Sequence, residues 1–272
     1  MTAALRTEFR KIRTTRAWWF NALAALGYMV LMGAILSGAF VFGNRQAESG
    51  AVTAQGVLEP IDLAQTVYTL GVSLGYIFPA LLGALVVTSE FRHRTITPTL
   101  LAEPRRGLVL AAKLPAVLPF AAVVAVAGVA GSVLGGGITL AILGEPTLLG
   151  DSAVQAAIWR SVLALVLWAL VGVGFGSVLT NQVAAIVVLL GFTQLVEPLL
   201  RLALGAFDAT QEVGKFLPGA AGESLAGASL YSSTGTVDLG LLEPWQGALV
   251  LLAYAVVLVV IGRFTTFRRD IG

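Results

Sequence analysis

Six apolar stretches, each about as long as a bilayer's hydrocarbon core is thick, decide what this chain can fold into. They run over residues 17–42, 66–88, 114–143, 154–179, 183–207 and 245–261. A spanning helix needs about 20 apolar residues. Inside lipid the backbone must satisfy its own polar groups, which leaves helices for runs of this length. Composition agrees: 57% of the 272 residues are hydrophobic and 12% are charged, where a soluble domain carries about 25% charged residues. The expected fold is all-α, one polytopic membrane domain over 1–272 with six transmembrane helices. Run 17–42 exceeds the length of a cleavable signal core and is expected to remain as an anchor.

Between the second and third runs lies 89–113, SEFRHRTITPTLLAEPRRGLVLAAK. Each charge at bilayer depth costs a few kcal/mol, so this stretch belongs outside the lipid, and its basic excess places it on the cytoplasmic side. With both termini on that side, it collects Arg6, Arg10, Lys11, Arg13, Arg16, Arg92, Arg94, Arg105, Arg106, Lys113, Arg263, Arg268 and Arg269. That is thirteen of the 17 basic residues, but only four of the 15 acids, Glu8, Glu90, Glu103 and Asp270. The net charge of +2 therefore hides a strong polarity. It speaks for orientation in a membrane with anionic lipid, as a multi-pass protein of a bacterial plasma membrane, and against nucleic acid as a partner.

The flanks follow from the same patterning. Residues 2–16 place Leu5, Phe9 and Ile12 on one stripe amid arginines, the pattern of a helix lying on the membrane surface or of plain flanking charges. Trp18 and Trp19 suit the interface. Pro79 falls inside the second run, and Pro115 and Pro119 in the first turns of the third. The third run is long enough that a tilt or a break is expected at Gly131 and 135–137. The turn 180–182 is so short that the fourth and fifth runs should form a tight antiparallel pair. Residues 208–243 read as an external segment whose weakly apolar middle is either a short helix dipping into the leaflet or a loop.

Several chemistries are absent. There is no cysteine, and His93 is the single histidine, which removes thiol chemistry, disulfides and two-histidine zinc motifs. No Gly-x-x-x-x-Gly-Lys-Ser/Thr loop occurs, so no nucleotide site of that kind is expected in this chain. The sequence Gly174-Phe-Gly-Ser177 reads as helix packing, not a nucleophile turn. Glycines four apart, Gly71 with Gly75, Gly131 with Gly135 and Gly172 with Gly176, suggest close helix approach within the chain or with a second copy. Glu197 lies fourteen residues into the fifth run, about 21 Å along a helix, with Arg201 one turn on and Pro198 between them. The pair either lines a polar cavity or gate, or neutralises itself where the helix leaves the lipid.

Six spans, both ends inside, an N-terminal basic helix and a charged loop between spans two and three resemble the ABC type-2 transporter permease family. Glu90, Phe91, Arg92, Thr95, Ile96, Thr99, Leu100, Leu101, Pro104, Arg105 and Lys113 carry the likeness. They are similar to that family's acid-aromatic-basic step, a Thr-hydrophobic step, Thr-Leu-Leu, Pro-Arg and a lysine opening the next span. Arg94 stands where glycine is frequent. The resemblance implies an exporter's permease subunit, not itself an enzyme, working with a cytosolic ABC ATPase that holds ATP and Mg and with a second permease copy or a related permease. It also implies that Glu90, Arg92, Thr95, Thr99, Leu100, Leu101, Pro104, Arg105 and Arg106 couple to the ATPase, with a transmitting helix over roughly 97–106. Arg92, Arg105 and Arg106 would meet acids on the ATPase, unless they serve topology alone, and Leu100 and Leu101 would fill a groove. The alternative is a membrane anchor that recruits a cytosolic partner and moves no solute. An ion-coupled transporter lacks the midplane titratable groups it would need.

Overall fold

Proline and short polar side chains mark where the helices begin. Asp151 caps a helix by accepting from the Ala153 and Val154 N–H groups at 2.8 and 3.2 Å, and Asn181 caps the next by accepting from the Ala184 N–H at 3.0 Å. Pro60, Pro218 and Pro244 each open a helix, where the missing N–H leaves nothing unsatisfied. The computed structural model describes residues 2–49, 57–206, 208–234 and 240–268, and among them there is no strand. The protein is an all-α polytopic membrane protein with six helical passes long and apolar enough to span a bilayer.

The elements are α1 (Thr2–Thr14), α2 (Ala17–Glu48), α3 (Pro60–Ser73), α4 (Ile77–Arg92), α5 (Ile96–Ala102), α6 (Arg106–Ile142) and α7 (Ser152–Val178). Next come α8 (Gln182–Gly191), a π-helical turn (Phe192–Val196), α9 (Glu197–Gly205), α10 (Asp208–Gly214), α11 (Pro218–Ala226), α12 (Leu230–Ser233) and α13 (Pro244–Thr265). The passes are α2, the α3–α4 pair, α6, α7, the α8–α9 pair and α13.

Among the seams that bring helix backbones into contact are two between passes. Along α2 and α6, a Cβ on Gly131 would meet the Leu26 carbonyl oxygen at 2.6 Å and one on Gly33 the Ser132 oxygen at 2.9 Å. Along α4 and α7, Cβ atoms on Gly83 and Gly172 would overlap the Ala169 and Ala80 carbonyl oxygens, and one on Gly176 would meet the Ala84 oxygen at 2.6 Å. In lipid, where apolar surface alone drives little association, such close approach lets dispersion hold helices together. Gly131, Gly172 and Gly176 therefore pack within the chain. α7 also packs against α13, and the outer faces of α2, α8–α9 and α13 leave Leu31, Val187 and Val256 exposed, as a lipid-facing surface would.

The loops segregate into two ends. At the arginine-rich end, Arg92 donates to Gln182 Oε1 at 3.2 Å, Arg106 to the Phe267 carbonyl at 3.0 Å, and the Phe91 and Phe267 rings meet edge-on at 5.9 Å. At the other end, Asn44 donates to the Leu58 carbonyl, Tyr68 Oη to the Thr147 carbonyl, and Arg45 pairs with Glu145 at 3.2 Å. Residues 2 and 268 thus lie at the same end, as six passes require.

Several sequence boundaries shift. The third pass is not confined to 114–143: it begins at Arg106, takes in the last residues of the expected 89–113 loop, and stays helical through Pro115, Pro119 and Gly135–137 without a break. Thirty-seven residues make about 55 Å of helix, well beyond the hydrocarbon core, so the basic start stands outside the lipid. The first pass extends beyond 17–42 to Glu48, and the sixth beyond 245–261 to Thr265. The second pass starts at Pro60, not 66, and it is interrupted at 74–76, upstream of Pro79, with Tyr76 Oη donating to the Thr193 carbonyl at 2.7 Å. The fifth pass, expected over 183–207, contains the π turn, and its last residue lies outside the described residues. The turn at 179–181 is extended at Leu179 and Asn181, about 10 Å of chain. That length carries α8 away from α7 and onto α4, so the expected tight antiparallel pair does not form. The stripe of α1 packs in part on the bundle: Ile12 is buried, and the Phe9 ring, itself exposed, lies 5.1 Å from Phe120 of α6.

Candidate functional site

The expected coupling segment folds as a short helix on a fixed base. The last turn of α4 ends in a Schellman arrangement, with the Thr95 N–H donating to the Glu90 carbonyl at 2.9 Å and the Arg94 N–H to that of Phe91 at 3.3 Å. Arg94 takes the left-handed conformation, φ 56°, that this motif requires and that glycine adopts most easily. α5 follows and covers Ile96–Ala102, shorter than the expected 97–106, because Glu103 to Arg105 leave the helix ahead of α6.

Beneath α5 four charges are drawn together from three helices. Lys113 of α6, with no exposed surface, reaches Glu8 Oε2 of α1 at 2.6 Å and Glu90 Oε1 of α4 at 2.8 Å, and also donates to the Val86 carbonyl at 3.3 Å. Lys11 bonds the same two acids at 2.7 and 2.8 Å and Thr99 Oγ1 of α5 at 3.0 Å. Two acids and two lysines balance, and their mutual hydrogen bonds offset the desolvation that burial imposes. Burial opposes the charge on Lys11, but the hydrogen bonds it donates to Glu8 and Glu90 outweigh this and hold the ammonium above its ordinary pKa. Glu90 Oε2 alone in this set is buried without a partner.

Glu90 and Thr99 therefore turn inward, away from any docking partner. Thr95 serves the turn itself, and Leu100 packs against the cluster containing Ile96, Leu110 and Phe267. Leu101 is 79% exposed at the end of α5. Arg105 lies beyond Pro104, its guanidinium forked onto Glu103 at 2.8 and 2.9 Å. The Arg105 side-chain hydrogen bond, then its backbone N–H, hold the Glu103 carboxyl down at about 2. Arg92 and Arg106 are held by Gln182 and the Phe267 carbonyl. The sequence marks Glu90 and Lys113, but not Glu8 and Lys11 as their partners. The signal was available: Glu8 is an acid on the apolar stripe of α1, and such an acid needs a base across the interface.

The second polar set lies toward the opposite end. Glu197 is 1% exposed and Arg201 4%. Arg201 Nη2 bonds Glu197 Oε1 at 3.0 Å, and Nη1 bonds Glu223 Oε2 at 2.8 Å. Ser73 and Ser229 donate to Glu223 at 2.7 Å each, the Gly219 N–H donates to Glu197 Oε1 at 2.6 Å, and the guanidinium sits 4.6 Å over the Tyr231 ring. The Glu197–Arg201 pair, expected either to line a polar cavity or gate or to neutralise itself near the interface, belongs to a buried set with one acid more than it has bases, closed by α11. All nine residues of α11 are buried against α3, α7 and α13, which decides between helix and loop for that part of 208–243. Pro198 has no N–H for the Gln194 carbonyl, and the chain widens into the π turn just before it, with the Glu197 N–H reaching the Phe192 carbonyl. That widening sets Glu197 toward α11. Trp168 Nε1 and Glu197 Oε2 are buried here without partners.

No protein-family model matches this chain, and no curated protein matches it.

Among the described residues no three His, Asp or Glu side chains converge as a metal site would need. The acids that do cluster are engaged by lysine or arginine. The arginine-rich end carries a short helix with an exposed leucine, joined through Thr99 to Lys11 of the charge cluster.

Proposed function

We propose that this chain is the membrane-spanning permease subunit of an ATP-driven exporter, moved by a separate cytosolic ATPase that docks on α5 and the 103–106 turn. The observation that carries the reading is the contrast within α5. The helix is fastened through Thr99 to the Lys11–Glu8–Lys113–Glu90 cluster, while Leu101 projects, 79% exposed, four residues before the charged Arg105. An exposed leucine on an anchored lever is what a partner must grip if its movement is to reach the spans. The six apolar passes and the likeness of 90–113 to the ABC type-2 pattern support the same reading. On it, Leu101 and Arg105 make contact, and Glu90, Thr99 and Lys113 carry the load inward.

A photo-crosslinking residue placed at Leu101 tests this in cells. The expected adduct is a protein whose peptides include a Gly-x-x-x-x-Gly-Lys-Ser/Thr loop, and Arg105→Asp should abolish it while leaving the chain inserted. Adducts with lipid alone, or with a protein lacking that loop, remove the proposal.

A further inference from the structure

A cavity of about 590 Å³ opens at the arginine-rich end where α1 gives way to α2, facing α4 and the start of α8. Its walls divide by chemistry. Arg16, Arg92 and His93 line it on one hand, and Leu82, Leu85 and Val86, further back along α4 from the Arg92 end, on the other. From Arg92 to Leu82 is ten residues, about 15 Å of helix, the depth from a headgroup into the acyl region. Trp18 and Trp19 lie two and three residues past Arg16, as indoles do at the lipid–water boundary.

The charge around the cavity has one sign to spare. Glu8 and Glu90 also line it, but both are neutralised by Lys11 and Lys113. Neither Arg16 nor Arg92 takes part in any ion pair among the described residues, and Arg92 meets only the neutral Gln182 amide. Two guanidiniums without a counter-charge, set above an apolar slot at the membrane boundary, match a phosphate with acyl chains below it. We infer that this cavity is a binding site for an anionic phospholipid, its phosphate between Arg16 and Arg92 and its upper acyl segment along Leu82, Leu85 and Val86. The site does not depend on whether the chain exports anything. It would place a lipid against the Lys11–Glu90 side of the cluster that holds α5.

Native mass spectrometry of the full chain in detergent, with phosphatidylglycerol and phosphatidylcholine supplied together, reads the site directly. In about 0.5 M ammonium acetate the screening length falls below about 5 Å, so diffuse attraction to the basic face is suppressed and a built site persists. The wild-type chain should retain phosphatidylglycerol over phosphatidylcholine by about tenfold. Arg16→Gln with Arg92→Gln should bring the two lipids near parity. Arg6→Gln with Arg10→Gln removes the same charge from exposed positions of α1 outside the cavity and should keep the preference. Should the first pair of changes disturb folding, as judged by gel filtration, Arg16→Lys with Arg92→Lys keeps the charge and should keep the preference. A wild-type chain without preference, equal loss in both glutamine variants, or displacement of the lipid by inorganic phosphate alone would each overturn the inference.

Discussion

Arg94 occupies a backbone position suited to a residue without a Cβ, and the cost of holding it there is open to measurement. At φ 56° a non-glycine residue loses about 1 kcal/mol to its Cβ. Arg94→Gly should therefore leave stability unchanged or raise it by up to about 1 kcal/mol, glycine's greater unfolded-state freedom offsetting part of the gain. A β-branched Arg94→Val should lower it. Thermal unfolding in detergent decides, and a clear loss with glycine would mean that the arginine side chain matters more than the turn. Lys113 is the opposite case, a residue whose side chain is everything. Lys113→Met leaves Glu8 and Glu90 buried with Lys11 alone, and breaking such a set costs about 3–5 kcal/mol. Adding Glu8→Gln restores the charge balance and should recover part of the loss in denaturant titrations. Glu103 titrates outside the lipid: its folded pKa of about 2 lies below the ordinary 4.5, so its bond to Arg105 contributes fully above pH 4.5 and is lost as pH falls toward 2. Carbon-13 titration of Glu103 should show that low midpoint, and Arg105→Ala should return it toward 4.5.

At the scale of elements, α11 shows what a helix needs in order to enter a bundle without spanning it. Its N-terminal N–H groups find Glu197, its Glu223 finds Arg201, and Gly219 leaves room for both, since a Cβ there would overlap Glu197 Oε1 and Arg201 Nη2. Gly219→Ala should destabilise the chain by about 1–3 kcal/mol through overpacking, read as earlier loss of Trp168 burial by fluorescence. An unchanged transition would mean that α11 is not fixed at this point. The sequence makes this element hard to foresee. Glu223 sits among small residues in a segment with little apolar length, and only the fold brings it to Arg201, 22 positions away. The passes themselves are legible because lipid forces every long apolar run into a helix, whatever its neighbours. Their ends are less so, because α6 runs on past the apolar stretch once its arginines reach water. The interruption at 74–76 goes with a tertiary contact, Tyr76 to Thr193, which no periodicity announces, whereas the π turn has a local cause in Pro198 whose outcome a helical pattern alone does not specify.

For the whole molecule, the arrangement of charge sets which way it faces. The two ends differ in kind: one gathers the arginines of α1, the 92–106 segment and the end of α13, and the other carries Arg45 paired with Glu145 and a loop region with acids. Positive residues resist transfer across the membrane, so the first end should stay cytoplasmic. Because the chain has no cysteine, single cysteines report sidedness without background. Leu101→Cys should resist a membrane-impermeant maleimide in intact cells and react once they are opened, while Gln46→Cys, exposed at the far end of α2, should react from outside. The reverse pattern would detach α5 from any cytosolic engine and place the arginine-lined cavity in the outer leaflet. A lipid preference that survived such a reversal would then separate the lipid site, which follows from local chemistry, from the transport reading, which follows from orientation.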